Sequence, residues 1–268
     1  MEAKQSMNLS RCIHIQEANQ VGEARRLITG YAAEIGLPEP LRGQISIIVT
    51  ELAGNLAKHT TKGGQLVYRK LNPDQESVGL DILSLDRGPG MQDVGRCLQD
   101  GYSTAGSPGT GLGAVERLST SFDIYSTLEL GTAILSRVAM AQSNGFKSGK
   151  PLFIVGAVCL PISGETVSGD GWAVAPELER ESFLIADGLG HGPEACHAAE
   201  RAIVAFYKNK DLNSNEVVNR IHLALKSTRG AAVAIAQIDP KKSVVHYSGV
   251  GNTVGIVFSQ NGHQRRMV

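Results

Sequence analysis

Apolar residues in the first 140 positions alternate between period-two and helical spacing, and the switches predict a series of short elements. Residues 12–17 read as a strand. Asn19 is placed to cap a helix over 21–35, where Val21, Ala24, Leu27, Ile28, Tyr31 and Ile35 share one side. Gly36 ends it, and Pro38 and Pro40 punctuate the chain before the next helix. Over 41–58, Leu41, Ile45, Ile48, Val49, Leu52 and Leu56 form a single apolar stripe. Residues 65–71 and 78–85 alternate as strands, with the loop 72–75 between them. A short helix is expected over 94–98, and helix continues over 114–118 behind a glycine cluster. Residues 122–127 and 132–138 read as a hairpin turning through 129–131.

The pattern changes after a polar joint at 142–151. Strand candidates follow at 153–160 and 181–186. A helix over 194–208 starts at Pro193 and turns Ala198, Ala202, Ala205 and Phe206 inward. A second helix spans about 215–225, and further strands are expected at 231–238, 243–249 and 254–258. Residues 262–268 read as a hairpin cut in mid-course. Both halves are thus α+β. The first is expected to be a mixed sheet with helices on one face, over residues 1–142. The second is expected to be an incomplete β-sandwich flanked by helices, over 151–268, with 143–150 as linker.

Composition narrows the function classes. Lys+Arg and Asp+Glu balance at 26 each in 268 residues, so no global field favours nucleic acid or an anionic membrane. No apolar run reaches the roughly 18 residues of a membrane span, and residues 1–11 lack a signal-like apolar core. Cys12, Cys97, Cys159 and Cys196 are scattered without a CxxC, as expected for reduced thiols in a cytoplasmic protein. The 31 glycines suit sites built from loops.

Candidate chemistry starts on the 41–58 helix. Glu51, Asn55 and Lys58 recur at i, i+4 and i+7 and share a face away from the apolar stripe. Alone they read more readily as a solvated face, and the downstream glycine segments shift that balance. Downstream lie Asp86-Arg-Gly88-Pro-Gly90 at the end of a strand and Gly109-Thr110-Gly111-Leu112-Gly113 at the start of a helix. Glycines there let backbone approach a ligand and expose N–H groups to phosphate.

These segments resemble, in order and spacing, the histidine-kinase-like ATPase superfamily (GHKL). The motifs are Glu51-Leu-Ala-Gly-Asn55, Asp86 to Gly90, Gly109 to Gly113, and Gly131-Thr132. The small size and Gly101-Tyr-Ser103-Thr104 are most similar to its anti-sigma-factor and switch-protein serine kinases. The resemblance implies ATP and Mg²⁺, with Asn55 as metal ligand and Glu51 as base. Asp86 would meet the adenine amino group, with Gly88 and Gly90 leaving room for the purine. Ser103, Thr104, Gly109, Thr110, Gly111, Leu112 and Gly113 would form a phosphate-binding lid. Thr132 would support the adenine edge, and Lys58 would offset phosphate charge.

In the second half, Ser168-Gly-Asp170-Gly is by itself ordinary turn chemistry. The run Ala186-Asp187-Gly188-Leu-Gly-His191-Gly-Pro193 is more particular. With Gly249-Val-Gly-Asn252 it resembles the PPM family of metal-dependent serine/threonine phosphatases. That resemblance implies Mn²⁺ or Mg²⁺ held by Asp187, by the Gly188 carbonyl and by Asp170, with a metal-bound water as nucleophile. His191 is open between a nearby acid and a structural role. The family's further aspartates are absent from Thr228-Arg-Gly-Ala-Ala232 and after Asp239, so either the chain is a fragment or this half is degenerate, and a fragment is the favoured expectation.

The implied function is a kinase of a bacterial partner-switching pathway fused to a phosphoserine/phosphothreonine phosphatase. Its partners would be a switch protein or anti-sigma-factor antagonist, or a sigma factor, with no nucleic acid or membrane. The alternative is an ATP-sensing module that sequesters a partner without catalysis, its phosphatase half serving as a docking surface.

Overall fold

The computed structural model describes residues 10–60, 62–71, 78–99, 111–140, 153–177 and 179–267. The chain divides into two compact units, Met1–Ser143 and Asn144–Val268.

The first unit contains β1 (Arg11–Ile15), α1 (Gln20–Glu34), α2 (Glu39–His59), β2 (Gly64–Leu71), β3 (Gly79–Asp86), α3 (Val94–Cys97), α4 (Gly111–Leu118), β4 (Ser121–Thr127) and β5 (Gly131–Ala139). Its strands form one sheet in the order β1-β2-β3-β5-β4. Every neighbouring pair is antiparallel, which corrects the expectation of a mixed sheet. The pairs β2/β3 and β4/β5 are hairpin neighbours, and no parallel crossover joins adjacent strands.

α2 organises this unit. Its stripe Ile45, Ile48, Val49, Leu52 and Leu56 is almost wholly buried against Leu66, Leu80 and Ile82 of the sheet and Ile28 and Tyr31 of α1. Each such aliphatic side chain contributes about 1.5–3 kcal/mol by leaving water. The helix begins at Glu39, earlier than the stripe predicts. Pro40 fits in its first turn, where a missing N–H costs nothing. Asn19 precedes α1 but its side chain caps nothing. Gln20 instead accepts bonds from the N–H groups of Gln16 and Glu17, at 2.7 and 2.9 Å. Gly36 ends the helix region at φ +87°, a conformation that favours glycine.

The second unit contains β6 (Asp170–Pro176), β7 (Glu181–Gly188), α5 (Gly192–Lys208), α6 (Ser214–Leu225), β8 (Ala231–Asp239), β9 (Val244–Val250), β10 (Gly255–Phe258) and β11 (Gln264–Met267). β6-β7-β8-β9 form an antiparallel sheet, and β10 and β11 form a separate hairpin. α5 and α6 pack on the sheet through Ala195, Ala198, Ala202, Phe206, Val217 and Ile221, all buried. Asn213 and Glu216 close a reciprocal capping box at the start of α6. The opposite face carries Trp172, Val174, Phe183 and Ile185, and Ile185 is 54% exposed. Among the described residues the other sheet of this unit is the two-stranded β10–β11 hairpin.

Two elements differ from expectation. Residues 153–162 have no regular structure, although an apolar strand is predicted over 153–160. Among the described residues the stretch pairs with no strand, and Ile154, Val155 and Val158 remain exposed, while Phe153 packs edge-on against Phe183 at 6.0 Å. Conversely, β6 is a strand that the sequence pattern hides. Its inward positions are Gly171, Ala173 and Ala175, too small to produce a clear hydrophobic alternation.

Candidate nucleotide and metal sites

The first candidate site is assembled around α2. Glu51 and Asn55 are half-buried one turn apart, and Lys58 is exposed on the last turn. A Cβ placed on Gly111 would stand 2.6 Å from Glu51 Oε2, so the start of α4 rests on this carboxylate. A side chain there would displace either the carboxylate or the helix. A Cβ on Gly88 would meet Thr60 Cγ2 at 3.2 Å and the His59 carbonyl at 3.3 Å. Both glycine segments singled out in the sequence therefore touch α2, one near its middle and one at its end.

Asp86 is the last residue of β3. One oxygen, Oδ1, accepts a 2.7 Å bond from the Gly88 N–H, which fixes the carboxylate and leaves Oδ2 for another donor. Directly opposite on β5 is Thr132, 7% exposed, and opposite Thr132 on β4 is Ser126. The Ser126 and Thr132 hydroxyls are 2.8 Å apart, and Ser126 Oγ accepts the Met91 N–H at 2.8 Å. The segment after Asp86 is further tied down by the Glu129 N–H bonding the Pro89 carbonyl at 3.0 Å. Gly90 has φ +74°, and a Cβ on it would lie 2.2 Å from the Thr127 carbonyl oxygen. Only glycine meets both demands.

Leu112 and Gly113 are buried in α4, and Leu112 belongs to the hydrophobic core rather than to the Glu51 side. Ser103, Thr104, Gly109 and Thr110 lie outside the described residues. Ser126 is a polar group that the sequence reading missed. Aligning the predicted hairpin on Thr132 would have put it in the same cross-strand row.

The second candidate site lies at one end of the β6–β7 pair. Asp170 and Asp187 are direct cross-strand partners. Burial, then the charge of Asp187 and a hydrogen bond with it, push the Asp170 carboxyl above its usual range. Two carboxylates held this close favour a shared proton or a bound cation. Gly188 follows in the same strand, and a Cβ on it would lie 2.1 Å from the Ala195 carbonyl oxygen, so β7 and α5 approach as closely as backbone allows. The donor set fits a hard divalent ion: two carboxylates and a backbone carbonyl. Among the described residues, no group of three or more Asp, Glu, His or Cys side chains is positioned to hold a metal.

The loop from Asp187 to Gly192 is braced on both sides. His191 Nδ1 lies 2.8 Å from Glu165 Oε1, and the Glu165 carboxylate fills the space a Gly192 side chain would need. On the other side the Leu189 N–H donates to the Gly230 carbonyl at 3.0 Å. Glu165 was not singled out in the sequence, because it matches no ligand spacing, and the 228–230 turn was noted only for the aspartate it lacks.

Residues 16–136 match the family of histidine kinase-like ATPase domains. Over 128 residues the chain is 34% identical to the serine/threonine-protein kinase RsbT of Bacillus subtilis (strain 168), covering 48% of this chain and 95% of the kinase. Over 101 residues it is 31% identical to the phosphoserine phosphatase RsbX of the same organism, covering 37% of this chain and only 50% of that protein. A crystal structure of RsbX with magnesium superposes with a TM-score of 0.39 at 23% identity, over 41% of this chain and 56% of that one. No helix among the described residues is long and apolar enough to cross a membrane. With nearly the whole of RsbT covered, the chain belongs to the histidine kinase-like ATPase (GHKL) family through its first domain, and its second half is similar to part of a phosphoserine phosphatase.

Proposed function

We propose that the first domain binds Mg·ATP and phosphorylates a serine or threonine on a switch protein, and that the second removes such a phosphate. The observation that carries the kinase reading is the contact of α2 with both glycine segments. It brings Glu51 against the start of α4 and the Gly88 turn, bonded to Asp86, against the end of α2. Coverage of 95% of RsbT supports the same reading.

In this reading Asp86 Oδ2 accepts the hydrogen bond of the adenine amino group. The Thr132–Ser126 hydroxyl pair borders the base, and Gly88 and Gly90 leave space for its ring. Asn55 offers its amide oxygen to Mg²⁺ among the phosphates, a ligand type that hard ions accept. Mg²⁺ supplies charge neutralisation at the phosphates. Glu51 orients the acceptor hydroxyl and takes its proton. Lys58 offsets phosphate charge from the exposed end of the helix. Gly111 gives backbone N–H groups at the start of α4 a close approach to phosphate. Glu51→Gln should keep ATP binding and lose phosphate transfer, measured as phosphoserine or phosphothreonine on an acceptor switch protein. Transfer at the wild-type rate would remove Glu51 from the mechanism.

In the second domain Asp170, Asp187 and the Gly188 carbonyl would hold Mg²⁺ or Mn²⁺. The ion would supply an activated water at neutral pH. The 31% identity to a phosphoserine phosphatase supports this over the half of that protein which the chain spans. One observation favours a second reading, in which the domain docks a partner without catalysis. Two carboxylates are fewer acids than a two-ion centre commonly uses, and no larger acidic group occurs among the described residues. Calorimetric titration with Mn²⁺ separates the two, because absence of metal binding leaves only docking. For the whole protein, sequestration of a partner without phosphate transfer is the corresponding alternative. It requires partner binding and biological output to survive Glu51→Gln.

A further inference from the structure

We propose that Arg229 is the phosphate anchor of the second domain: its guanidinium receives the phosphate of a phosphoserine or phosphothreonine peptide beside the Asp170–Asp187 pair. This rests on the phosphatase reading of that domain and specifies how its substrate is held.

The turn before β8 is joined to the metal-candidate loop by the Leu189–Gly230 backbone bond at 3.0 Å. Thr228 Oγ1 accepts the Gly230 N–H at 3.0 Å, and Gly230 adopts φ +89°, so the turn has a defined shape. This shape directs Arg229 back across the loop. A Cβ on Gly190 would stand 3.1 Å from Arg229 Nη1, which means the guanidinium lies directly against the Asp187–Gly192 backbone. A side chain at 190 would push it away, and φ +94° there independently favours glycine.

The charges around the loop are unevenly used. Glu165 on one side is engaged with His191. Arg229 on the other side makes no ion pair or side-chain hydrogen bond among the described residues, although Asp170 and Asp187 carry the acidity of this sheet end. Its outer side borders a cavity of about 240 Å³, walled by Val218, Ile221 and Leu225 with His222 and Lys226 at the rim. The guanidinium is therefore reachable from solvent as well as from the loop.

Charge balance gives the reason for a cation here. Two carboxylates neutralise one divalent ion and leave little positive charge for an incoming phosphate dianion. An arginine supplies that charge at every working pH, and its planar fork matches two phosphate oxygens. A phosphopeptide lying along the loop would place its phosphate between the ion and Arg229, with the neighbouring residue over the cavity.

The test uses the full chain with Mg²⁺ and two probes, inorganic phosphate and a phosphoserine peptide, each titrated by calorimetry. Arg229→Ala should weaken both at least tenfold, and Arg229→Lys should restore part of the loss. Mg²⁺ affinity without phosphate should stay at the wild-type value. Unchanged phosphate and phosphopeptide affinity in Arg229→Ala would overturn the assignment, as would a parallel loss of Mg²⁺ binding. Failure of the phosphatase reading looks different: Arg229-dependent phosphopeptide binding with no hydrolysis supports the anchor and removes the enzyme. Hydrolysis with undiminished kcat/KM in Arg229→Ala does the reverse.

Discussion

Asp86 and Thr132 stand directly opposite each other on β3 and β5, and the next residue in that row, Ser126, holds the Thr132 hydroxyl at 2.8 Å. The row turns the end of an antiparallel sheet into a polar edge on which Asp86 Oδ2 accepts no hydrogen bond among the described residues. Because Thr132 is buried, its hydroxyl is fixed rather than solvated.

Replacing Thr132 by valine keeps the shape and removes the hydroxyl. ATP affinity should fall about fivefold to tenfold, in line with roughly 1–1.5 kcal/mol for one hydrogen bond. Nucleotide titration by calorimetry checks this, with circular dichroism unchanged. Wild-type affinity in Thr132→Val would show that this row does not border the base.

The metal pair makes a separate prediction. Mg²⁺ or Mn²⁺ should raise the unfolding temperature of the full chain, because an ion that binds only the folded state stabilises it. Asp187→Asn should abolish the part of that shift due to the second domain. Scanning calorimetry in an Asn55→Ala background isolates this domain from the nucleotide site. A metal-dependent shift that survives Asp187→Asn would refute the ligand assignment.

Cys12 gives a pH test of the fold itself. It is 6% exposed on β1, and burial pushes its thiol up to about 11. The folded chain therefore keeps a proton that the unfolded chain releases at lower pH. The resulting stabilisation is full below the ordinary thiol range and is lost as pH rises toward about 11. Urea unfolding should show a steeper loss of stability between about pH 9 and 11 for wild type than for Cys12→Ala. Equal slopes would mean that Cys12 is solvated.

How much was legible in the sequence differs between the two domains for physical reasons. α2 announces itself because an unbroken apolar stripe and a polar face with Glu51 and Asn55 alternate over five turns. β4 and β5 are legible from alternation, and their pairing follows from the hairpin residues Glu129 (φ 68°) and Gly131 (φ +107°). The antiparallel course of the whole sheet was not legible, since strand order depends on packing across elements far apart in the chain. β6 was hidden by its small inward residues, and residues 153–162 look like a strand but have no partner among the described residues. Asp170 and Asp187 were named from motif resemblance, yet their direct opposition appears only with the β6–β7 register. Arg229 was invisible, because its relation to Gly190 runs through the fold and not through spacing.

The most direct test of the account is Asn55→Ala in an assay that follows both ATP binding and phosphate transfer to a switch-protein acceptor in Mg²⁺. Asn55 is half-buried one turn after Glu51, where an amide oxygen is available to a metal at the phosphates. The account predicts ATP binding that no longer responds to Mg²⁺ and transfer reduced at least a hundredfold, roughly 2.7 kcal/mol of lost stabilisation. Mg²⁺-dependent binding and transfer at wild-type levels in Asn55→Ala would contradict it.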